Sequence, residues 1–175
     1  MAAPAAAPSL AFNAPGTSAR CRRTEAVSMA RIESTVTIAR PPEKVFDYFL
    51  TLDENVPKTN PEVEWIVKTP NGPTQVGTTL RSRGKSLGRV RETTMRFTAI
   101  VPNEKIQFEA EVGPMRPKCE FNFDQTDSGT RVTFRGDPNP VGVFKLLSPL
   151  FIRIGHHVWG ERLARAKAKL ETSPS

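Results

Sequence analysis

The sequence predicts an α+β fold, a curved antiparallel sheet of about seven strands wrapped around one long C-terminal helix. Three observations predict it. Seven short segments between Ile32 and Phe134 alternate apolar and polar residues at period two, as half-buried strands do. All but one of their connections are short, which makes neighbours antiparallel. The stretch from Pro140 to Glu171 is the longest with helical spacing, and it is the large apolar element left to cover the sheet.

In chain order, Ile32, Ser34, Val36 and Ile38 alternate with Glu33, Thr35, Thr37 and Ala39 as a first strand, which Arg40, Pro41 and Pro42 stop. Val45, Phe46, Phe49 and Leu52 then repeat at helical spacing, and an irregular turn runs through Asn55, Pro57, Asn60 and Pro61. Val63, Trp65 and Val67 face away from Glu64, Ile66 and Lys68 in the second strand, ended by Pro70, Asn71, Gly72 and Pro73. Gly77 to Val101 reads as two strands joined at Gly84, Lys85, Ser86, Leu87 and Gly88. A hairpin there sets Arg83 opposite Arg89 and Arg81 opposite Arg91, four arginines on one face, with Leu80, Ser82, Val90 and Glu92 on the other. A bulge between Arg91 and Met95 is then needed to return Met95 and Phe97 to the core side. Ile106, Phe108, Ala110 and Val112 line one face of the fifth strand, Cys119, Phe121 and Phe123 the sixth, and Val132 and Phe134 the seventh.

The last segment carries more apolar surface than one contact needs. Ser148 and Pro149 form a cap and first turn, so the helix restarts or bends there. Beyond it, Ile152, His156, Trp159, Leu163, Ala166 and Leu170 make one stripe, and Leu147, Leu150, Phe151, Ile154 and Val158 make a second. One stripe suffices for a sheet. The second asks for a ligand, a lid or another copy of the chain, with monomer and homodimer both open.

At 175 residues the chain suits one domain, residues 31–172. Residues 1–30 are rich in Ala, Pro and Ser, show neither period, and fall outside the fold. They read as a disordered extension, an organelle-targeting peptide over residues 1–28, or a run upstream of a working start at Met29. Pro4, Pro8 and Pro15 break the apolar stretch and speak against a secretory signal, so the cytoplasm is the expected location unless targeting applies. Arg153 interrupts the best membrane-spanning run. Cys21 and Cys119 make no disulfide framework. The +7 net charge is too diffuse for nucleic acid, and no aromatic residues interleave the hairpin arginines for stacking.

The order and spacing of Ala39, Pro41, Pro42, Val45, Phe46 and Phe49, of Asn60 with Pro61, of Gly77 and Thr78, of Pro102, of Gly129, Thr130 and Val132, and of Leu163 to Glu171 carry a family resemblance. From Arg31 to Thr172 the chain resembles the helix-grip (SRPBCC, START-like) superfamily, which includes START lipid-transfer domains, plant pathogenesis-related allergens, and polyketide cyclases and dehydrases. It departs from bacterial members at Thr59, where they commonly carry tryptophan two residues before the equivalent of Pro61. The resemblance implies a cavity between sheet and helix.

Trp65, Leu80, Phe108, Phe121, Phe123, Phe134, Ile152, His156 and Trp159 are the expected lining; the same residues also suit a filled core. His156 either orients a ligand oxygen or is a satisfied, partly buried histidine. Glu92 and His156 are the candidates for proton chemistry, while Glu109, Glu111 and Glu120 should point outward. His157 and Glu161 are one ligand short of even an open zinc site, so no metal is expected. Gly84, Lys85 and Ser86 lack the first glycine and the helix of a phosphate loop, and no Cys-x-x-Cys or Gly-x-Gly-x-x-Gly occurs, so no cofactor is expected. The arginine face is either solvated or a contact for acidic lipid headgroups or an acidic partner. Three functions remain: binding or transport of a small hydrophobic ligand or lipid, a cyclase- or dehydratase-like enzyme acting on an oxygenated hydrophobic substrate, and a protein-interaction module with a filled core.

Overall fold

The computed structural model describes residues 31–172 apart from Leu87, and Ser86 in its backbone alone. The expected extension over residues 1–30 and the loop position of Leu87 lie outside the described residues. The elements run β1 (Ile32–Ile38), α1 (Pro42–Leu50), α2 (Leu52–Thr59), β2 (Val63–Thr69), β3 (Thr79–Ser86), β4 (Arg89–Val101), β5 (Lys105–Val112), β6 (Lys118–Thr126), β7 (Gly129–Asp137), a 3-10 segment (Gly142–Leu147) and α3 (Ser148–Thr172). The seven strands form one antiparallel sheet in the order β1-β7-β6-β5-β4-β3-β2. This is the helix-grip architecture, with α1 and α2 carrying the chain from one sheet edge to the other.

The short helices form where the sequence allows nothing extended. Pro42 opens α1, where a missing amide costs nothing, and Val45, Phe46 and Phe49 go to the core on one face. At its end the Thr51 amide and hydroxyl both donate to the Asp47 carbonyl, at 3.0 and 2.7 Å. The nearly buried pair of Lys68 Nζ and Asp53 Oδ2, 2.8 Å apart, ties α2 to β2.

Register decides which residues reach the concave face. Arg83 pairs with Glu92, Gly84 with Arg91 and Ser86 with Arg89, three residues further along β4 than the sequence reading placed Arg83. An odd shift exchanges faces. Arg81 and Arg83 therefore lie on the convex face with Glu92 and Thr94, where Arg83 meets Glu64 at 3.0 Å and Arg81 meets Glu92 at 3.8 Å. Arg89 and Arg91 lie on the concave face with Thr93, Met95 and Phe97. The four-arginine face does not form, and no bulge is needed between Arg91 and Met95; the irregularity falls at Phe97 to Ala99. In β2, Trp65 and Val67 pair with Arg83 and Arg81 on the convex face, whereas Ile66 and Lys68 face inward opposite Ser82 and Leu80.

The helix α3 lies along β1 and β7. Trp159 stacks on Phe134 with centroids 3.7 Å apart and planes at 20°, and Leu163 and Ala166 are buried on the same stripe. Around this stack Phe121 meets Phe49 at 4.7 Å and Phe108 at 5.7 Å, while Phe123 is covered by Phe46 of α1 at 5.4 Å. Arg40 donates from Nε and Nη2 to the carbonyls of Leu170 and Glu171, both at 3.1 Å, satisfying groups that a helix end leaves open. Ala39 N donates to Glu171 Oε1 at 2.8 Å. The helix restarts at Ser148 as expected, but the Ser148 hydroxyl donates back to Lys145 O at 2.6 Å instead of capping an amide.

Gly155 is the closest approach of α3 to β1, since a Cβ there would collide with Ile32 Cδ1 and stand 2.8 Å from Cγ1. A glycine-to-alanine change inside a helix ordinarily stabilises by about 1 kcal/mol. Here Gly155→Ala should destabilise by about 1–3 kcal/mol through overpacking against buried Ile32, and combining it with Ile32→Ala should cost less than the two single changes added, as urea unfolding of the four proteins will read.

On the convex face, burial alone would raise the Glu120 carboxyl, but hydrogen bonds from Gln107 (3.0 Å) and Asn122 (3.1 Å), with Arg135 and Lys105 nearby, outweigh it and hold it below its usual range. A depressed carboxyl stabilises above its unfolded pKa, and that contribution is lost as pH falls through the folded value. Glu120→Gln should therefore flatten the loss of stability between about pH 5 and pH 3 in a series of urea titrations.

Candidate functional site

A single α-helix is about 10 Å wide, whereas seven strands at about 4.8 Å spacing make a sheet about 29 Å across. Docked on β1 and β7, α3 leaves the concave face of β3 to β6 uncovered. The space so left is a cavity of about 630 Å³, within the range of small-molecule sites. The sheet contributes Leu80, Met95, Phe108, Phe121 and Phe134 to its wall, and α1 and α2 contribute Tyr48, Phe49, Leu52 and Val56.

The second stripe of α3 forms the opposite wall. Phe151, Ile154 and Val158 line the cavity, and the same helical row continues as Arg162 and Arg165. The surplus apolar surface thus faces an internal space along half its length. Its first part does not: Leu147 and Leu150 are exposed, as are Val143 and Leu146 of the 3-10 segment, the latter at 86% of its full surface. Phe144 of that segment borders the cavity.

Of the expected lining, Leu80, Phe108, Phe121, Phe134 and Trp159 are in the wall. Trp65 is on the convex face, Phe123 is sealed beneath α1, and Ile152 packs on the core beside β1. His156 is exposed and spends Nδ1 on the carbonyl of Glu33 at 2.9 Å, so it docks the helix to β1 and does not reach the cavity. Glu92 does not line the cavity either; the register turns it to the convex face beside Arg81. Glu109 and Glu111 point outward as read, paired with Lys118 at 3.1 Å and Arg116 at 3.2 Å. His157 and Glu161 make an exposed pair at 3.4 Å, and among the described residues no three potential metal ligands come together.

The sequence reading missed α1 and α2 as a wall, Met95, and above all Arg162. Their signal was present in the helical periods of Tyr48, Leu52 and Val56 and in the continuation of the second α3 stripe beyond Val158. The sequence reading also passed over Gly84 to Gly88, Gly-Lys-Ser-Leu-Gly, which has the Gly-x-Ser-x-Gly form of a hydrolase nucleophile elbow. That motif needs a strand-to-helix turn, and here the string joins β3 to β4.

The polar groups in the wall are few. Burial raises the Tyr48 phenol, against a weaker lowering by Thr59, so at neutral pH it is a neutral hydrogen-bond partner. Burial pushes the Cys119 thiol up to about 12, with Arg162 opposing and Asp137 adding to the rise. Arg162 lies in the cavity wall with its side chain exposed, protein crowding its guanidinium. Its guanidinium lies 4.9 Å from the Trp159 ring centroid, and burial followed by Arg165 lowers its pKa. No helix among the described residues is long and apolar enough to cross a membrane.

A thiol that titrates near 12 is almost wholly protonated at pH 8, and the thiolate is the reactive form. In a Cys21→Ser background, alkylation of native Cys119 by iodoacetamide at pH 8 should be at least about 100-fold slower than in urea; equal rates would contradict the buried, protonated thiol.

Comparison with known proteins places this geometry in context. The structure of TTHA0849 from Thermus thermophilus superposes with a TM-score of 0.68 at 19% identity, covering 83% of this chain and 99% of that one. Ara h 8.0201 follows with a TM-score of 0.64 at 19% identity, covering 81% and 94%. The di-domain ARO/CYC protein BexL from the BE-7585A biosynthetic pathway gives 0.68 at 18% identity, covering 82% of this chain and 50% of that one. These likenesses are of fold. No curated protein matches the chain in sequence. The family model described as polyketide cyclase / dehydrase and lipid transport matches residues 29–171, nearly all of the grip and its helix, and the chain belongs to that family.

Proposed function

We propose that this protein binds, and by binding transports, a small hydrophobic molecule or lipid in the cavity between α3 and the concave face of β3 to β6. One observation carries the reading: the second stripe of α3, apolar beyond what sheet packing requires, turns into a cavity of about 630 Å³ whose opposite wall is aromatic and aliphatic. Apolar surface facing unfilled space gains free energy when an apolar body replaces water against it, at roughly 25 cal/mol per Å². The exposed apolar residues of the 3-10 segment, next to cavity-lining Phe144, offer a route for such a ligand from an apolar phase.

Binding is favoured over catalysis by the state of the polar groups. Cys119 and Tyr48 hold their protons at neutral pH, and neither Glu92 nor His156 reaches the cavity. The solvated part of the 3-10 segment is also the surface on which peripheral contact with a membrane, or pairing with a second copy, would fall.

Native mass spectrometry of the gently purified chain, followed by solvent extraction, tests the reading. A stoichiometric adduct of a few hundred daltons is expected. Thr59 lines the cavity at the end of α2, and Thr59→Trp, which restores the side chain common in bacterial relatives, should reduce that adduct by filling space. A wild-type chain that carries no adduct and takes up none of a panel of apolar compounds would sink the proposal.

A further inference from the structure

Arg162 is the group that apolar binding leaves unexplained. Its guanidinium projects from α3 into the cavity and makes no hydrogen bond or ion pair with any described residue. A cation lining an apolar cavity gives up part of its hydration, and an anion replaces it best; Glu62 acts on Arg162 only from beyond ion-pair distance. The stacking contact with Trp159 replaces that hydration only in part.

The rest of the wall has the same sign. Four basic residues on the cavity side line it, Arg89, Arg91, Arg162 and Arg165, against one acid, Asp137. Arg165 is paired with Glu161 at 3.9 Å, which leaves Arg89, Arg91 and Arg162 without an ion-pair partner among the described residues. Contacts of Gly155 with Ile32 and of Leu170 with Arg40 show that α3 runs alongside β1 in the same direction. Arg162 lies between these two attachments, while Arg89 and Arg91 sit where the β3–β4 hairpin ends. An anion in the cavity therefore meets basic groups from both the β3–β4 hairpin and α3, Arg162 among them. Along α3 the distance from Phe151 to Arg162 is about 16 Å, apolar until its last turn.

We propose that the ligand is an amphipathic anion, its carboxylate or phosphate head held by Arg162 and its apolar chain lying along Phe151, Ile154 and Val158 against Phe108 and Phe121. The proposal rests on the ligand-binding reading above and narrows it to a chemical class. Arginine suits either head, since its planar fork matches both geometries bidentately.

The test is isothermal titration of the full chain with dodecanoate, dodecyl phosphate, dodecanol and inorganic phosphate. Either charged amphiphile should bind at least about tenfold more tightly than dodecanol, as a charge-assisted hydrogen bond in an enclosed site warrants. Arg162→Met should bring the affinity for both charged chains down to that for dodecanol, and Arg162→Lys should keep part of the preference, which separates lost charge from lost fold. The ratio of dodecanoate to dodecyl phosphate affinity names the head. Equal affinity for all three chains, or a preference that survives in Arg162→Met, overturns the anion site and leaves the cavity standing. Phosphate binding as tightly as dodecyl phosphate overturns the amphiphile in favour of a free anion. Uptake of none of the four overturns both readings.

Discussion

The stack of Trp159 on Phe134 is the contact on which the rest of this structure depends. It fastens the one long helix to β7, near an edge of the sheet, where Arg40, Glu171, His156 and the close approach of Gly155 to Ile32 hold it along β1. A helix fixed so far to one side cannot cover seven curved strands. The cavity is the geometric remainder, with α1 and α2 closing part of it and the aromatic cluster around Phe121 forming its floor.

Polar groups are handled in opposite ways on the two faces of the sheet. Outside, acids and bases alternate and neutralise one another, as in the chain of contacts linking Glu33, Arg135, Glu120, Gln107 and Asn122. Inside, cations outnumber acids, and Arg162 has no ion-pair partner among the described residues. An ion pair at the surface is worth little and forms readily, whereas a cation facing an apolar cavity gives up hydration that only an anion restores well. The electrostatic information in this molecule therefore lies in the cavity and not in the many pairs on its surface.

Much of the fold was legible because it depends on local patterns. The period-two strands, the proline-initiated helix after β1 and the long terminal helix all follow from spacing, and short connections impose the meander from β2 to β7. The site was legible only in part. Phe108, Phe121, Phe134 and Trp159 were found because each is apolar, aromatic and on the right face of a regular element. Trp65 lies outside because apolarity alone does not fix a face: inward Lys68 is made acceptable by Asp53 of α2, a partner fifteen residues away in sequence. Glu92 and the hairpin arginines failed for a different reason, since a register displaced by three residues reverses a face. His156 lies on the packing stripe yet is spent on a backbone carbonyl.

The sequence by itself determined the class of fold, the surplus stripe on the last helix and the excess of positive charge, because periodicity and composition are properties of the chain alone. Tertiary structure decided where that surplus goes. Pairing register turned Arg89 and Arg91 inward and Glu92 outward, and the sideways docking of α3 aligned Phe151, Ile154, Val158 and Arg162 along one cavity wall. Such choices depend on contacts between residues far apart in the chain, which compete through packing and desolvation and leave no mark in any local pattern.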